Sequence, residues 1–250
     1  MKYNRVQEIR QYVESRHSVS NEELLKEFDI SIQTLRRDLK GLEEEGYITK
    51  VYGGVVYNEP TTKAEVDALE KREASNAEEK DYIGKLAASF VEDNDVIFID
   101  SGTTAYRMLK YLGHVKNVTV ISHCLDVMLE CRKMKNLTAI CAGGSLHPET
   151  GTFLVDTSFY PYNYNKCFIS AVGISTVRGM TNTYLQEGFM KHHVIAHSHK
   201  VFVVADHTKF DVIAFNHFAD FSEVQVMITD KEPPKKYEKI LESNQIKIVY

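Results

Sequence analysis

The pattern of apolar and polar positions changes once along the chain, between about Asn58 and Lys80. Upstream of that stretch the apolar residues recur at helical spacing. Val6, Ile9 and Val13 mark a first helix, and Leu24, Leu25 and Phe28 a second. The second is announced by Ser20-Asn21-Glu22-Glu23, a capping-box pattern in which hydroxyl and carboxylate satisfy each other's exposed backbone N–H groups. After a tight Asp29-Ile30-Ser31 connection, a third helix is predicted from about Ile32 to Glu45, with Ser31 as its cap and Gly46 just past its end. At ~100° per residue, Ile32, Leu35, Leu39 and Leu42 fall on one side of it. YITKVYGGVVY then reads as a hairpin around Gly53-Gly54.

Downstream the texture differs. VIFID, VTVIS, LTAICA, KCFISAV, VFVVAD, VQVMITD and IKIVY are short runs rich in β-branched residues. Most are separated by helix-length amphipathic segments such as AYRMLKYL and HCLDVMLECRKM. Strand and helix in alternation predict βαβ units and a largely parallel sheet covered by helices. The intervening stretch holds Pro60 and KAEVDALEKREASNAEEK, with too few apolar residues for a core. The expected organisation is therefore a winged helix-turn-helix over residues 1–57, a partly helical linker over 58–80 and an α/β domain over 81–250.

Composition narrows the function classes. With 43% hydrophobic and 26% charged residues in 250, the chain reads as a folded, soluble protein. No apolar run reaches the ~18 residues of a spanning helix, and the start lacks a signal-peptide core, so a cytoplasmic location is expected. Four cysteines without CxxC or zinc-ligand spacing predict reduced, mostly buried thiols and no disulfide framework. Thirty Lys and Arg against 35 Asp and Glu give a net charge of −5. That balance excludes coating of nucleic acid through bulk positive charge and leaves recognition by a few well-placed cations.

The third helix carries such cations. Opposite its apolar side lie Gln33, Thr34, Arg37, Lys40 and Gly41, with Arg36 on the flank. Gln pairs with adenine, Arg with guanine and Thr with the thymine methyl in the major groove, and Arg36 is placed for a phosphate. Glu43, Glu44 and Glu45 would be repelled by phosphates, so the N-terminal half must enter the groove. Lys50 and Tyr52 on the wing would meet the backbone or the minor groove. The plain alternative is a solvated amphipathic helix with ordinary surface charges.

In the second domain, VIFID ends at Asp100 and turns through Ser101-Gly102-Thr103-Thr104 into a helical segment, an arrangement that presents backbone N–H groups to an anion. Three hydroxyls surround those amides. Neither GxxxxGK nor GxGxxG is present, so nucleotide cofactors are not supported and none is expected. The competing account is that the loop merely turns the chain and caps the helix. A metal shared by His193 and His197, with His192 and His199 nearby, is disfavoured because neither HExxH nor a pairing cysteine accompanies them.

TLRRDLKGLEEEGYITKVYGGV closely resembles the N-terminal signature of the DeoR family of bacterial transcription regulators. IFIDSGTT, AGGSLHPET, QEGFMKHH and VVADHTKF resemble its effector domain. RVQEI, KVYGGV and IFIDSGTT are also similar to the inositol-catabolism repressors of that family. The resemblance implies a sensor related to ribose-5-phosphate isomerase, fused to a reader of operator DNA. It implies that Gln33, Thr34, Arg36, Arg37 and Lys40 lie at or near the operator. Asp100, Ser101, Gly102, Thr103 and Thr104 would line the phosphate end of an effector pocket. Gly143 and Gly144 would allow close backbone approach, and Glu187, Lys191, Asp206 and Lys209 would surround the sugar. Two departures fall in this pocket. His123 stands in the Ser122-His123 pair where the family usually has Thr-Asn, and Val172 where many members carry Asp in Gly-Ala-Asp-Gly.

The expected function is a repressor of a carbohydrate-catabolism operon, released from DNA by a phosphorylated sugar and acting as a homo-oligomer, dimer or tetramer, with no membrane partner. Two alternatives belong to other classes. One is a sugar-phosphate isomerase using Asp100, Glu187 or Asp206 as base and Lys191 as stabiliser. The other is an adaptor with a vestigial pocket.

Overall fold

The computed structural model describes residues 2–44, 47–58, 61–63, 69–148, 150–154 and 162–250. It divides into two compact units, one built mainly from residues 1–60 and one mainly from 61–250.

The first unit comprises α1 (Lys2–Arg16), β1 (Ser18–Ser20), α2 (Asn21–Phe28), α3 (Ile32–Glu44), β2 (Ile48–Val51) and β3 (Gly54–Tyr57). The capping box forms in both directions: Glu23 N–H donates to Ser20 Oγ at 3.1 Å and Ser20 N–H to Glu23 Oε2 at 2.9 Å. Ser31 Oγ accepts from Thr34 N–H at 3.3 Å, as expected of a cap for α3. Glu45 and Gly46 lie outside the described residues. β2 and β3 form the wing hairpin, and β1, which the sequence pattern did not reveal, pairs antiparallel with β3. Gly54 is required there, because a Cβ would run into the backbone carbonyl of Val19.

Ile9, Val13, Leu24, Leu35, Leu39 and Leu42 make the small core. Ile32 departs from expectation: at the first position of α3 it is 41% exposed. Asp38 takes a place on the apolar side instead, 3% exposed, with Oδ2 accepting from Arg5 Nε and Nη2 at 2.8 Å each.

The second unit begins with β4 (Thr61–Lys63), α4 (Leu69–Ala74), α5 (Ala77–Ala88), β5 (Val96–Ile99) and α6 (Thr103–Tyr106), the last running on as a 3-10 helix through His114. β6 (Val118–Ser122), α7 (Leu125–Cys131), β7 (Leu137–Cys141), β8 (Ser145–His147), β9 (Thr152–Leu154) and β10 (Tyr164–Ser170) follow. The remainder is β11 (Gly173–Ser175), β12 (Gly179–Asn182), α8 (Leu185–Ala196), β13 (Ser198–Val204), β14 (Val212–Ala214), β15 (Asn216–Ala219), β16 (Val226–Ile228), α9 (Glu238–Ser243) and β17 (Lys247–Val249). Within the stretch expected as linker, Thr61–Lys63 pairs with Val212–Ala214, α4 forms and α5 begins, while residues 59–60 and 64–68 lie outside the described residues.

All seven runs read as strands from the sequence join one sheet in the order β17-β16-β13-β10-β5-β6-β7, every pair parallel. Its central strands are buried at successive positions, which requires cover on both faces. Phe168 and Phe202 stack at 4.7 Å in the core. From β5 the chain steps outward through β6 and β7, then returns to β10 and steps the other way. The order thus reverses between β5 and β10, and ligands of open α/β sheets bind at the carboxyl ends of strands at such a point. Three cysteines are buried and Cys141 is exposed. Burial pushes the Cys124 and Cys131 thiols to about 11 and that of Cys167 to about 12. No described helix is long and apolar enough to cross a membrane.

Arg5→Met leaves the Asp38 carboxylate buried beside α3 without its partner. It is expected to destabilise the first unit by about 3 kcal/mol, read from the urea midpoint followed by far-UV circular dichroism.

Candidate functional site

Two constellations were expected, one in each unit. On α3, burial of Leu35, Asp38, Leu39 and Leu42 fixes which side faces out. Gln33, Arg36, Arg37 and Lys40 are exposed, and Thr34 is half-buried with its hydroxyl 3.0 Å from that of Ser31. Tyr52 stands fully exposed at the wing turn, where Gly53 adopts a φ of +81°. Two of the expected cations hold carboxylates of the same unit: Lys50 pairs with Glu43 at 2.6 Å and Lys40 with Glu44 at 3.5 Å. These pairs mask the acidic end of α3 and leave Gln33, Arg36 and Arg37 as its outward polar groups nearer the N-terminus.

In the second unit a cavity of about 320 Å³ opens at the β5–β10 reversal. The Ser101–Thr104 turn forms one wall and Ser170–Val172, at the end of β10, another. Gly102 has to be glycine, since a Cβ would collide with the Ser170 side chain. Among the described lining residues the charges are Arg72, Lys80, Lys191 and Lys209 against Glu187 alone. Glu187 is held by Asn182 Nδ2, which donates to Oε2 at 3.0 Å, and by Thr152 Oγ1, which donates to Oε1 at 3.3 Å.

Beneath the cavity lies a buried ion pair. Lys191 Nζ donates to Asp100 Oδ2 at 3.0 Å and to the Ser170 carbonyl at 2.8 Å, with both side chains almost fully buried. Ser170 N–H donates to the same carboxylate oxygen at 3.0 Å, and the Ser170 hydroxyl donates to it as well. Burial works against the Asp100 charge, but Lys191, His123 and the Ser170 hydrogen bond outweigh it, so its pKa is lowered. His123 is 1% exposed and stacked on Phe98 at 5.6 Å. Burial lowers its pKa despite the attraction of Asp100 and Glu187, so the ring is neutral at pH 7. Among the described residues, neither its ring nitrogens nor Asp100 Oδ1 has a hydrogen-bond partner.

The structure brings Ser101, Gly102, Thr103, Thr104, Glu187, Lys191 and Lys209 into the cavity wall. Asp100 and His123 stand behind it. Asp206 is fully buried, accepting from Thr208 N–H at 3.0 Å and from Asn76 Nδ2 at 3.4 Å, and is not itself in the wall. Gly143 and Gly144 are also outside the wall, in the turn after β7. Their φ angles of +78° and +100° explain the residue type there without a ligand. Sequence reasoning missed Arg72, Ser75, Lys80, Thr150, Ser170, Asn182 and Tyr184. For Lys80 the only signal was its place among the apolar positions of α5; Arg72 and Ser75 read as linker. His193 and His197 stack on each other at 4.2 Å, and His192 Nδ1 lies 3.2 Å from the Phe218 carbonyl.

A family model described as a DeoR-like helix-turn-helix domain matches residues 5–61, and one described as a DeoR C-terminal sensor domain matches residues 75–231. The chain belongs to the DeoR family. It is 35% identical to the HTH-type transcriptional regulator IolR of Bacillus subtilis over 99% of both chains. It is 30% identical to a lactose phosphotransferase system repressor of Staphylococcus epidermidis over 96% of both. Among solved structures, ribose 5-phosphate isomerase A of Methanocaldococcus jannaschii aligns with a TM-score of 0.41 and 16% identity. That alignment covers 54% of this chain and 55% of that one, too distant to carry an argument.

In this DeoR-family chain Ser122-His123 and Val172 have structural roles of their own. Ser122 Oγ donates to the Ile99 carbonyl at 2.7 Å and accepts from Cys124 N–H, which ties β6 to β5. Val172 adds an apolar group to the cavity wall, and Ser170, in the same stretch, supplies the hydroxyl that locks Asp100.

Because the folded-state pKa of His123 lies below the ordinary value of 6.5, the unfolded chain binds the extra proton first on acidification. Stability is expected to fall as pH drops below 6.5, with a slope of up to ~1.4 kcal/mol per pH unit from this group. His123→Asn should flatten the urea midpoint between pH 7 and 5, and an unchanged pH profile would contradict a neutral buried ring.

Proposed function

We propose that this chain is a sequence-specific, operator-binding transcriptional repressor of a carbohydrate-catabolism operon, released from DNA when a phosphorylated sugar fills the sensor cavity. The observation that carries the reading is the wall of that cavity. Three cations besides the paired Lys191 converge with the Ser101–Thr104 turn at the carboxyl ends of β5 and β10, against one carboxylate. Such a site favours a phosphate dianion, through charge-assisted hydrogen bonds worth ~1.5–3 kcal/mol each. Glu187, fixed by Asn182 and Thr152, is an acceptor suited to sugar hydroxyls. A relative named for a lactose phosphotransferase system supports a sugar-related signal.

The proposed DNA reader is α3, with Gln33, Thr34 and Arg37 toward base edges and Arg36, Lys40, Lys50 and Tyr52 toward the backbone. Lys40 and Lys50 would exchange Glu44 and Glu43 for phosphates on binding. Two half-sites and a homo-oligomer follow from the habit of helix-turn-helix readers. An isomerase is the weaker reading. The candidate base Asp100 is held by Lys191 and Ser170 behind the cavity wall, and Val172 brings no carboxylate.

Thermal-shift screening against matched phosphorylated and unphosphorylated sugars tests the sensor. A phosphorylated member at ~100 Kd should stabilise the chain by about 2.7 kcal/mol while its unphosphorylated partner does not. Equal response to both would remove the phosphate from the reading.

On DNA, Arg37→Ala should cost ~1–3 kcal/mol and relax specificity at one base pair, whereas Arg36→Ala should weaken all sequences alike and flatten the salt dependence. Fluorescence anisotropy on operator variants separates the two.

A further inference from the structure

The cavity wall includes the end of a helix that the sensor motifs do not explain. α4 is six residues long, and its last carbonyls need partners from outside the helix. Ser75 N–H donates to the Lys71 carbonyl at 3.0 Å. The next two are met by cations reaching across: Lys80 Nζ donates to the Arg72 carbonyl, and Arg107 Nη2 to the Glu73 carbonyl at 2.9 Å. Lys80 also reaches Ser75 Oγ at 3.5 Å. Arg72, Ser75 and Lys80 all line the cavity, so Lys80, unlike Arg107, meets both the end of α4 and the space where an anion would sit.

Positive charge gathers around Lys80. Burial pulls the Lys80 ammonium down to about 8; Asp206 holds it up, while Lys209, Arg107 and Arg72 repel it. Arg72 Nε is buried without a hydrogen-bond partner among the described residues. Asp206, the nearby carboxylate, spends Oδ1 on Thr208 and Asn76, while its buried Oδ2 has no hydrogen-bond partner among the described residues. A phosphate entering the cavity offers Lys80 a stronger acceptor than a neutral carbonyl.

We infer that Lys80 is the transmitting residue of the sensor: it caps α4 through the Arg72 carbonyl when the cavity lacks an anion, and transfers to the bound phosphate, uncapping α4. This rests on reading the cavity as an anion site and adds how occupancy leaves it. α4 follows in sequence the residues that join the two units, so a change in its last turn lies on the covalent route to the DNA reader. The coupling requires only that the two states differ in how strongly they hold the anion.

The test is hydrogen exchange of the full-length chain with inorganic phosphate, using chloride at equal ionic strength as the control, on the parent, Lys80→Met and Lys80→Gln. In the parent, phosphate should slow exchange in residues 101–106 and speed it about tenfold in residues 69–76. Lys80→Met should show the fast 69–76 exchange without phosphate. Lys80→Gln keeps a donor for the carbonyl but no charge for the anion, so 69–76 should stay slow with or without phosphate; this variant decides the matter if the Met variant does not fold.

Slowing of 101–106 with unchanged or slower exchange in 69–76 would overturn the transmitting role and leave the anion site standing. Parent-like 69–76 exchange in ligand-free Lys80→Met would overturn it too. If phosphate alters neither segment, the anion site falls and this inference with it.

Discussion

The sensor unit is organised around one buried ion pair. Asp100 directly follows β5, Ser170 ends β10 and Lys191 projects from α8; a single carboxylate oxygen gathers all three. A charge taken out of water is costly unless its partners are close and its lone pairs engaged. Removing Asp100 or Lys191 therefore leaves an uncompensated charge under the cavity floor. The pair adds little to stability compared with an apolar replacement, but it fixes where the two strand ends and the helix stand relative to one another. The reversal of strand order between β5 and β10 opens a crevice, and this pair sets its shape. Lys191 is consequently part of the floor, paired to Asp100, while Arg72, Lys80 and Lys209 are the other cations of the wall.

A similar device operates in the smaller unit. Asp38 lies within the apolar stripe of α3 and is met by Arg5 from α1, which orients the helix whose outer side carries Gln33, Arg36 and Arg37. In both units a carboxylate on a key element is neutralised from a distant part of the chain, and the side chains available to a ligand project from the element so fixed. The surface cations follow another logic. Lys40 and Lys50 rest on Glu44 and Glu43 in pairs that water screens, so a polyanion can displace the carboxylates at small cost.

What the sequence revealed tracks how local the physics is. The seven strands were legible because a parallel sheet covered on both faces demands unbroken β-branched runs, and the Ser20 box because its two partners lie three residues apart. Ile32 was misplaced because the first residue of a helix has no preceding turn to cover it. Asp38 could not be read as buried, since its partner lies 33 residues away and a carboxylate among leucines looks like a break in the stripe. Within the cavity, Ser101–Thr104 announced themselves as a strand–glycine–helix turn. Arg72, Ser75 and Lys80 did not, because a charged run between domains looks like solvated linker until the fold returns β10 and Lys209 against it. Gly143 and Gly144, expected near a ligand, stand outside the cavity wall with the positive φ angles of a turn.

The pairing of β4 with β14 bears on how the molecule can be divided. β14 belongs to a two-stranded ladder whose other member is Thr61–Lys63. A fragment cut at residue 75, where the sensor-domain match begins, would strip that strand away and bare a row of unpaired backbone amides and carbonyls. Such a raw edge invites copies of the fragment to add to one another, so its self-association would report the missing strand rather than the assembly of the intact protein.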